Sequence, residues 1–183
     1  LTKPRLYTAV TTVEQNGRVL DTYETRFGIR TIKFDEARGF FLNGELVKLQ
    51  GVCNHHDLGA LGTAFNTRAA ERQLEIMKEL GVNALRTSHN PPAPELLDLC
   101  DRMGILVMDE SFDCWERGKT PNDYSLLFKD WHARDIRAQL RRDRNHPSII
   151  LWSSGNEIPD IAYNKKARAI SNELSAIIRA EDT

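Results

Sequence analysis

The chain has 183 residues, 40% hydrophobic and 28% charged, a composition that can bury a sizeable core and that excludes a disordered, collagenous or membrane class. Its 25 basic residues are matched by 26 acidic ones, so nothing resembles the clustered cationic surface that nucleic acid requires. No apolar run approaches the roughly 20 residues of a membrane span, and Cys53, Cys100 and Cys114 lack the paired close spacing of a zinc or redox motif, so they read as free thiols.

The first 35 residues read as β. Leu6 to Val13 and Arg18 to Thr25 flank Asn16-Gly17, a dipeptide that readily supplies the two positive φ angles of a tight hairpin, and Phe27 to Phe34 gives a third extended stretch. Three strands cannot close a sandwich, so residues 1–35 are expected to be the C-terminal strands of a larger β-domain. A second Asn-Gly, Asn43-Gly44, predicts a short hairpin at the entrance to the next domain, residues 36–183.

From about Leu46 short apolar runs alternate with stretches of helical periodicity. The first unit pairs a strand over Leu46 to Val52 with a helix from about Thr67 to Leu80, where Ala70, Leu74, Met77 and Leu80 share a face between an Asn66 or Thr67 cap and Gly81. Val82 to Arg86 precedes a helix over Pro94 to Met103 stopped by Gly104. Ile105 to Asp109 precedes a loop over 110–123 and a helix from about Tyr124 to Arg144, and Ile149 to Ser153 precedes one over Lys165 to Arg179. Such alternation predicts a parallel sheet covered by helices, either an open doubly wound sheet or a closed eight-stranded barrel.

The open nucleotide-binding sheet needs a glycine-rich turn after its first strand, and here that turn is Gly51-Val52-Cys53-Asn54-His55-His56-Asp57-Leu58-Gly59, crowded with polar side chains. Polar residues gather after the other strands too: Arg86-Thr87-Ser88-His89-Asn90, Asp109-Glu110-Ser111 and Gly155-Asn156-Glu157. A barrel builds its active site on that one face. Four units are half of the eight a barrel needs.

The segment Asn145-His146-Pro147-Ser148-Ile149-Ile150-Leu151-Trp152-Ser153-Ser154-Gly155-Asn156-Glu157 closely resembles the acid/base signature of glycoside hydrolase family 2. Matching stretches run in the same order through Phe27-Gly28-Ile29-Arg30, Phe41-Leu42-Asn43-Gly44, Gly51 to Asp57, Arg86 to Pro92 and Met108-Asp109-Glu110. The resemblance implies a fragment holding the last strands of an immunoglobulin-like β-sandwich (1–35) and the first half of a TIM (β/α)8 barrel (36–183). It also implies a retaining β-glycosidase, β-galactosidase first and β-glucuronidase or β-mannosidase as alternatives, acting on a carbohydrate without a cofactor. By the same resemblance Glu157 is the general acid/base, Asn156 contacts the sugar 2-hydroxyl, His55 and His89 contact sugar, and Arg86 positions a nucleophilic Glu expected beyond Thr183. Better-known β-galactosidases carry a Glu and a nearby His after the third strand that bind magnesium. This chain reads Phe112-Asp113-Cys114-Trp115-Glu116 there, so no metal site is predicted, and Asp113 and Trp115 are expected to line the substrate site.

Blander readings stand beside these. Glu157 taken alone reads as a cap or a solvent-facing carboxylate, and as the acid it would need burial near apolar groups such as Trp152 to stay protonated. Arg86 at the end of an apolar strand needs an anion, and an ion pair with Asp109 or Glu110 would serve. A metal site of His55, Asp57 and His89 lacks fixed short spacing. His56 is expected to be structural and Trp131, mid-helix, to be core, while the arginines 134, 137, 141, 142 and 144 read as a solvated helix face. Unpaired edges on the first and fourth strands favour self-association or pairing with a missing half-barrel, as in a non-catalytic binding or complementation module.

Overall fold

The computed structural model describes residues 3–158 and 165–182. β1 (Tyr7–Gln15) and β2 (Arg18–Phe27) form an antiparallel hairpin, turning at Asn16 (φ 50°) and Gly17 (φ 76°) as that dipeptide predicts. Its apolar side chains, Val10, Val13, Val19, Leu20 and Tyr23 among them, stay exposed.

The third extended stretch does not join this hairpin. β3 (Ile32–Asp35) pairs instead with β4 (Gly39–Leu42), which pairs with β5 (Glu45–Leu46) across Asn43-Gly44, giving a separate three-stranded meander. Sheet pairing thus draws residues 32–35 to the far side of the expected break. Phe40 of β4 is buried against Leu106 and Ile150, so the meander packs on the amino-terminal ends of the strands that follow.

Those strands are β6 (Gly51–His55), β7 (Ala84–Ser88), β8 (Leu106–Glu110) and β9 (Ile149–Ser153), hydrogen-bonded in that order and all parallel. The run expected as one strand from Leu46 to Val52 is divided. Leu46 pairs with Phe41 in the meander, and Asn83 then ties the intervening backbone, its side chain accepting from Gln50 N and donating to the Lys48 carbonyl.

Four helices follow the strands in turn: α1 (Thr67–Glu79), α2 (Pro94–Met103), α3 (Ser125–Asp143) and α4 (Lys165–Glu181). The Asn66 side chain accepts from Ala69 N to open α1, and Gly104 in the left-handed region ends α2. Leu74, Leu97, Leu99 and Cys100 from α1 and α2 bury against Leu85, Val107 and Ile149 of the sheet. Phe128, Ile136 and Leu140 of α3 pack with Leu174 and Ile177 of α4 in a second cluster.

Trp131 departs from its expected place in the core. It is 41% exposed, with the Arg134 guanidinium lying 4.6 Å from its ring centroid, because the buried face of α3 runs through Phe128, Ile136 and Leu140. Leu74, with no exposed surface, is the clearest test of the core. Leu74→Ala is expected to cost about 2–5 kcal/mol of stability, read as a lower denaturation midpoint at unchanged slope.

Candidate active site

Register decides which side chains meet. Cys53, Arg86 and Met108 are aligned across β6, β7 and β8, so they share one face of the sheet, and Glu110 and Ser153, aligned with each other one pleat further along, share it too. Leu85, Val107 and Asp109 alternate to the opposite face, toward the helices. β7, β8 and β9 therefore carry Arg86, Glu110 and Ser153 inward while the helices cover the other side.

At the centre is Glu110, with no exposed surface. Arg86 Nε donates to its Oε2 at 2.8 Å and Arg86 Nη2 to its Oε1 at 2.9 Å. His89 Nδ1 lies 2.7 Å from Oε1, and Ser153 Oγ donates to Oε2 at 2.6 Å. A buried carboxylate left unpaired would cost several kcal/mol, and these contacts from two flanking strands and the loop after β7 satisfy it. Burial works against the Arg86 charge, but the hydrogen bonds to Glu110 and Cys53 outweigh it and hold the guanidinium above its ordinary pKa. Arg86 thus has the ion-pair partner that its place on the strand demanded, and its Nη2 also donates to Asn156 Oδ1 at 2.8 Å.

Asn156 extends the network. Its Nδ2 donates to Asp113 Oδ1 at 2.9 Å, and Lys119 Nζ donates to the same oxygen at 2.8 Å and to the Asn156 carbonyl at 3.1 Å. Partial burial opposes the Asp113 charge, yet Lys119 and Asn156 keep its carboxyl below the usual carboxylate range. His55, at the end of β6, meets His89 edge to face with ring centroids 4.9 Å apart. His56 turns away and stacks on Phe65.

Glu157 follows Asn156 with a positive φ of 46°, and its side chain is 80% exposed, 3.7 Å from Lys119 Nζ. The apolar burial expected for it near Trp152 is not present. Trp152 sits on the helix side of β9, aligned with Asp109, and its indole donates to Asp182, whereas Glu157 lies in the loop above the strand. Trp115, expected to offer a face to substrate, is 4% exposed. It packs with Phe128 and donates to the Ser154 carbonyl at 2.8 Å, so it braces the loop that leads to Asn156.

The carboxylates of this network are already committed to donors: Asp113 to Lys119 and Asn156, Glu110 to Arg86, His89 and Ser153. Among the described residues the one group of His, Cys, Asp or Glu able to converge on a metal is Asp98, Asp101 and His146. It lies at the amino end of β9, away from Glu157, and there Asp101 already accepts from His146 and from Ser148 N.

The family model "Glycosyl hydrolases family 2, TIM barrel domain" matches residues 33–183, and the model "Glycosyl hydrolases family 2" matches residues 1–30. The chain belongs to glycoside hydrolase family 2. Its parallel sheet and surrounding helices are accordingly part of a family 2 TIM barrel. A β-galactosidase of Bacteroides ovatus is 55% identical over 175 residues, 96% of this chain and 21% of that protein. A putative β-glucuronidase of Formosa agariphila is 45% identical over 155 residues, 84% of this chain and 15% of its own length. The chain thus spans about a fifth or less of these two relatives. Among solved structures, a family 2 member from Bacteroides cellulosilyticus superposes with a TM-score of 0.94 at 44% identity, covering 97% of this chain and 23% of that one. A β-glucuronidase from Ruminococcus gnavus gives 0.84 at 31% identity, covering 97% and 30%.

Glu110, Ser153 and Lys119 were not singled out as site residues from the sequence. Glu110 was read as part of the polar cluster after the third strand and as a possible partner for Arg86, but not as a site residue in its own right. Its neighbour Asp109 illustrates the opposite fate. Facing α3, it accepts from Gln139 Nε2 at 2.8 Å, and burial together with the Asp143 charge pushes its pKa up to about 8. A carboxyl raised in the folded state keeps its proton there while the unfolded chain releases it, so this group erodes stability as pH rises from about 4 to about 8. Asp109→Asn, which mimics the protonated form, is expected to flatten that decline in denaturation midpoints measured across the same window.

Proposed function

We propose that the protein containing this chain is a retaining β-glycosidase that removes terminal β-linked hexosides, β-galactosides first, with Glu157 as general acid/base. The observation that carries this reading is the continuity of Glu157 with Asn156, whose amide is already engaged by Arg86 and Asp113 at the mouth of the barrel strands. The identity of 55% with a β-galactosidase supports the choice of sugar. β-Glucuronides and β-mannosides are the alternatives within the family.

In this chemistry one carboxylic acid protonates the departing oxygen while a carboxylate about 5–5.5 Å away attacks the anomeric carbon, and water then releases the sugar with the first residue as base. Glu157 is exposed, with Lys119 Nζ 3.7 Å from its carboxyl oxygen. Glu110 cannot serve as nucleophile, since every lone pair facing the site is taken by Arg86, His89 or Ser153. Asp113 is occupied by Lys119 and Asn156. Membership of glycoside hydrolase family 2, not elimination, leads us to assign the nucleophile to a Glu outside this chain, with Arg86, His55, His89 and Asn156 as substrate-side residues. Asp113 acts through its hold on Asn156. Residues 1 to about 30 we assign to the end of an immunoglobulin-like sandwich, for which the uncovered apolar side chains of β1 and β2 are the support.

The edges of β6 and β9, unpaired among the described residues, favour a second reading in which this segment closes against another half-barrel. Size-exclusion of the 183-residue chain checks it: dimers support pairing, and a monodisperse monomer counts against it. The glycosidase reading is tested in the full-length protein with Glu157→Gln and a panel of β-galactoside, β-glucuronide and β-mannoside disaccharides. The variant is expected to lose about 100-fold or more in kcat/KM on the preferred disaccharide without loss of thermal stability. Wild-type rates in the variant would remove Glu157 from the mechanism.

A further inference from the structure

Lys119 has no role in the chemistry above, yet its ammonium stands among the groups that carry it. Nζ donates to Asp113 Oδ1 at 2.8 Å and to the Asn156 carbonyl at 3.1 Å, and lies 3.7 Å from Glu157 Oε2. An ammonium has three donors, and here three oxygens surround it. Its side chain is only 26% exposed, low for a lysine in a loop. The Asp113 oxygen it takes is also the one that accepts Asn156 Nδ2.

The loop that presents Lys119 is itself fixed. Asp123 accepts from the Ser125 hydroxyl at 2.6 Å, and from the backbone N–H groups of Lys119 at 2.6 Å, Thr120 at 2.8 Å and Ser125 at 3.0 Å. These bonds, Ser125 foremost, hold its carboxyl below the usual range. Gly118 completes the turn, because a Cβ there would come within 2.6 Å of Ser125 Oγ and 2.9 Å of Asp123 Oδ1. A side chain leaving so constrained a backbone starts from one place, which is what precise presentation of a charge requires.

We propose that Lys119 is a positioning residue for the acid/base, its ammonium drawing the Glu157 carboxylate and the Asn156 carbonyl onto a common anchor at Asp113. The inference rests on the assignment of Glu157 given above. Asp113 and Glu157 are the anions of this anchor, and Asp123 holds the Lys119 backbone. The Arg86–Glu110 pair meets Asn156 through its Oδ1. Glu157, on an exposed loop with a positive φ, has Lys119 as its ion partner. Losing that partner releases the carboxyl to sample other rotamers, and a misplaced acid matters only where a proton must be delivered.

That condition supplies the test. In the full-length enzyme, Lys119→Met and Lys119→Arg are compared on two glycosides of the sugar that the panel selects. One is a disaccharide, whose leaving alcohol needs a proton, and the other a dinitrophenyl glycoside, whose phenolate does not. Lys119→Met is expected to lower kcat/KM on the disaccharide by about 10- to 100-fold and on the dinitrophenyl glycoside by less than about 3-fold, with Lys119→Arg recovering most of the loss. Equal losses on both substrates, or none on either, overturn the proposal. Wild-type enzyme inactive on every β-glycoside overturns the glycosidase reading, and this one with it. An active wild type with an unselective Lys119→Met effect overturns the positioning role alone.

Discussion

The site is organised around one buried negative charge. Glu110 sits at the end of β8 with no exposed surface, and a carboxylate there is tolerable only because Arg86, His89 and Ser153 converge on it. Each donor comes from a different stretch of chain: Arg86 from β7, His89 from the loop after it, Ser153 from β9. Satisfying the charge therefore fixes the relative positions of three neighbouring strand ends. Arg86 carries the constraint outward to Asn156, Asn156 to Asp113, and Asp113 to Lys119. The open rim of the barrel is thus a chain of charge-assisted contacts hung from a single interior anchor.

Strand alternation explains why two adjacent acids behave so differently. Asp109 and Glu110 are consecutive, so one faces the helices and the other the interior of the barrel. On the helix side Asp109 meets an amide and a second carboxylate, surroundings that favour its neutral form. On the interior side Glu110 meets a guanidinium, an imidazole and a hydroxyl. Two consecutive carboxyl groups thus serve as a strut toward α3 and a hub inside the barrel, separated by one peptide bond.

Much of the scaffold could be read from local signals. The Asn16-Gly17 and Asn43-Gly44 turns, the stops at Gly81 and Gly104 and the four strand–helix units depend on backbone preferences carried by neighbouring residues, and they sit where those preferences put them. What escaped depends on contacts distant in sequence. The run from Leu46 to Val52 looks like one strand, but its first residue pairs with Phe41 and its last with Leu85, which nothing within the run reveals. Trp115 and Trp131 exchanged their expected environments because the burial of an aromatic ring follows from the packing of α3, not from its place in a loop or a helix. Of the candidate site, Arg86, His89, Asp113 and Asn156 form one bonded network and His55 packs against His89. Lys119 was silent, since a lysine in a loop acquires meaning only when its acceptors are in view.

The segment just after β2 is fastened to the barrel. Arg30 donates to the carbonyls of Pro147 and Ile149, and Gly28 lies so close to the Pro147 ring that no side chain fits between them. These carbonyls mark the root of β9, the strand whose other end leads to Asn156 and Glu157. The segment leaving β2 is therefore pinned at the base of that strand and is no slack tether.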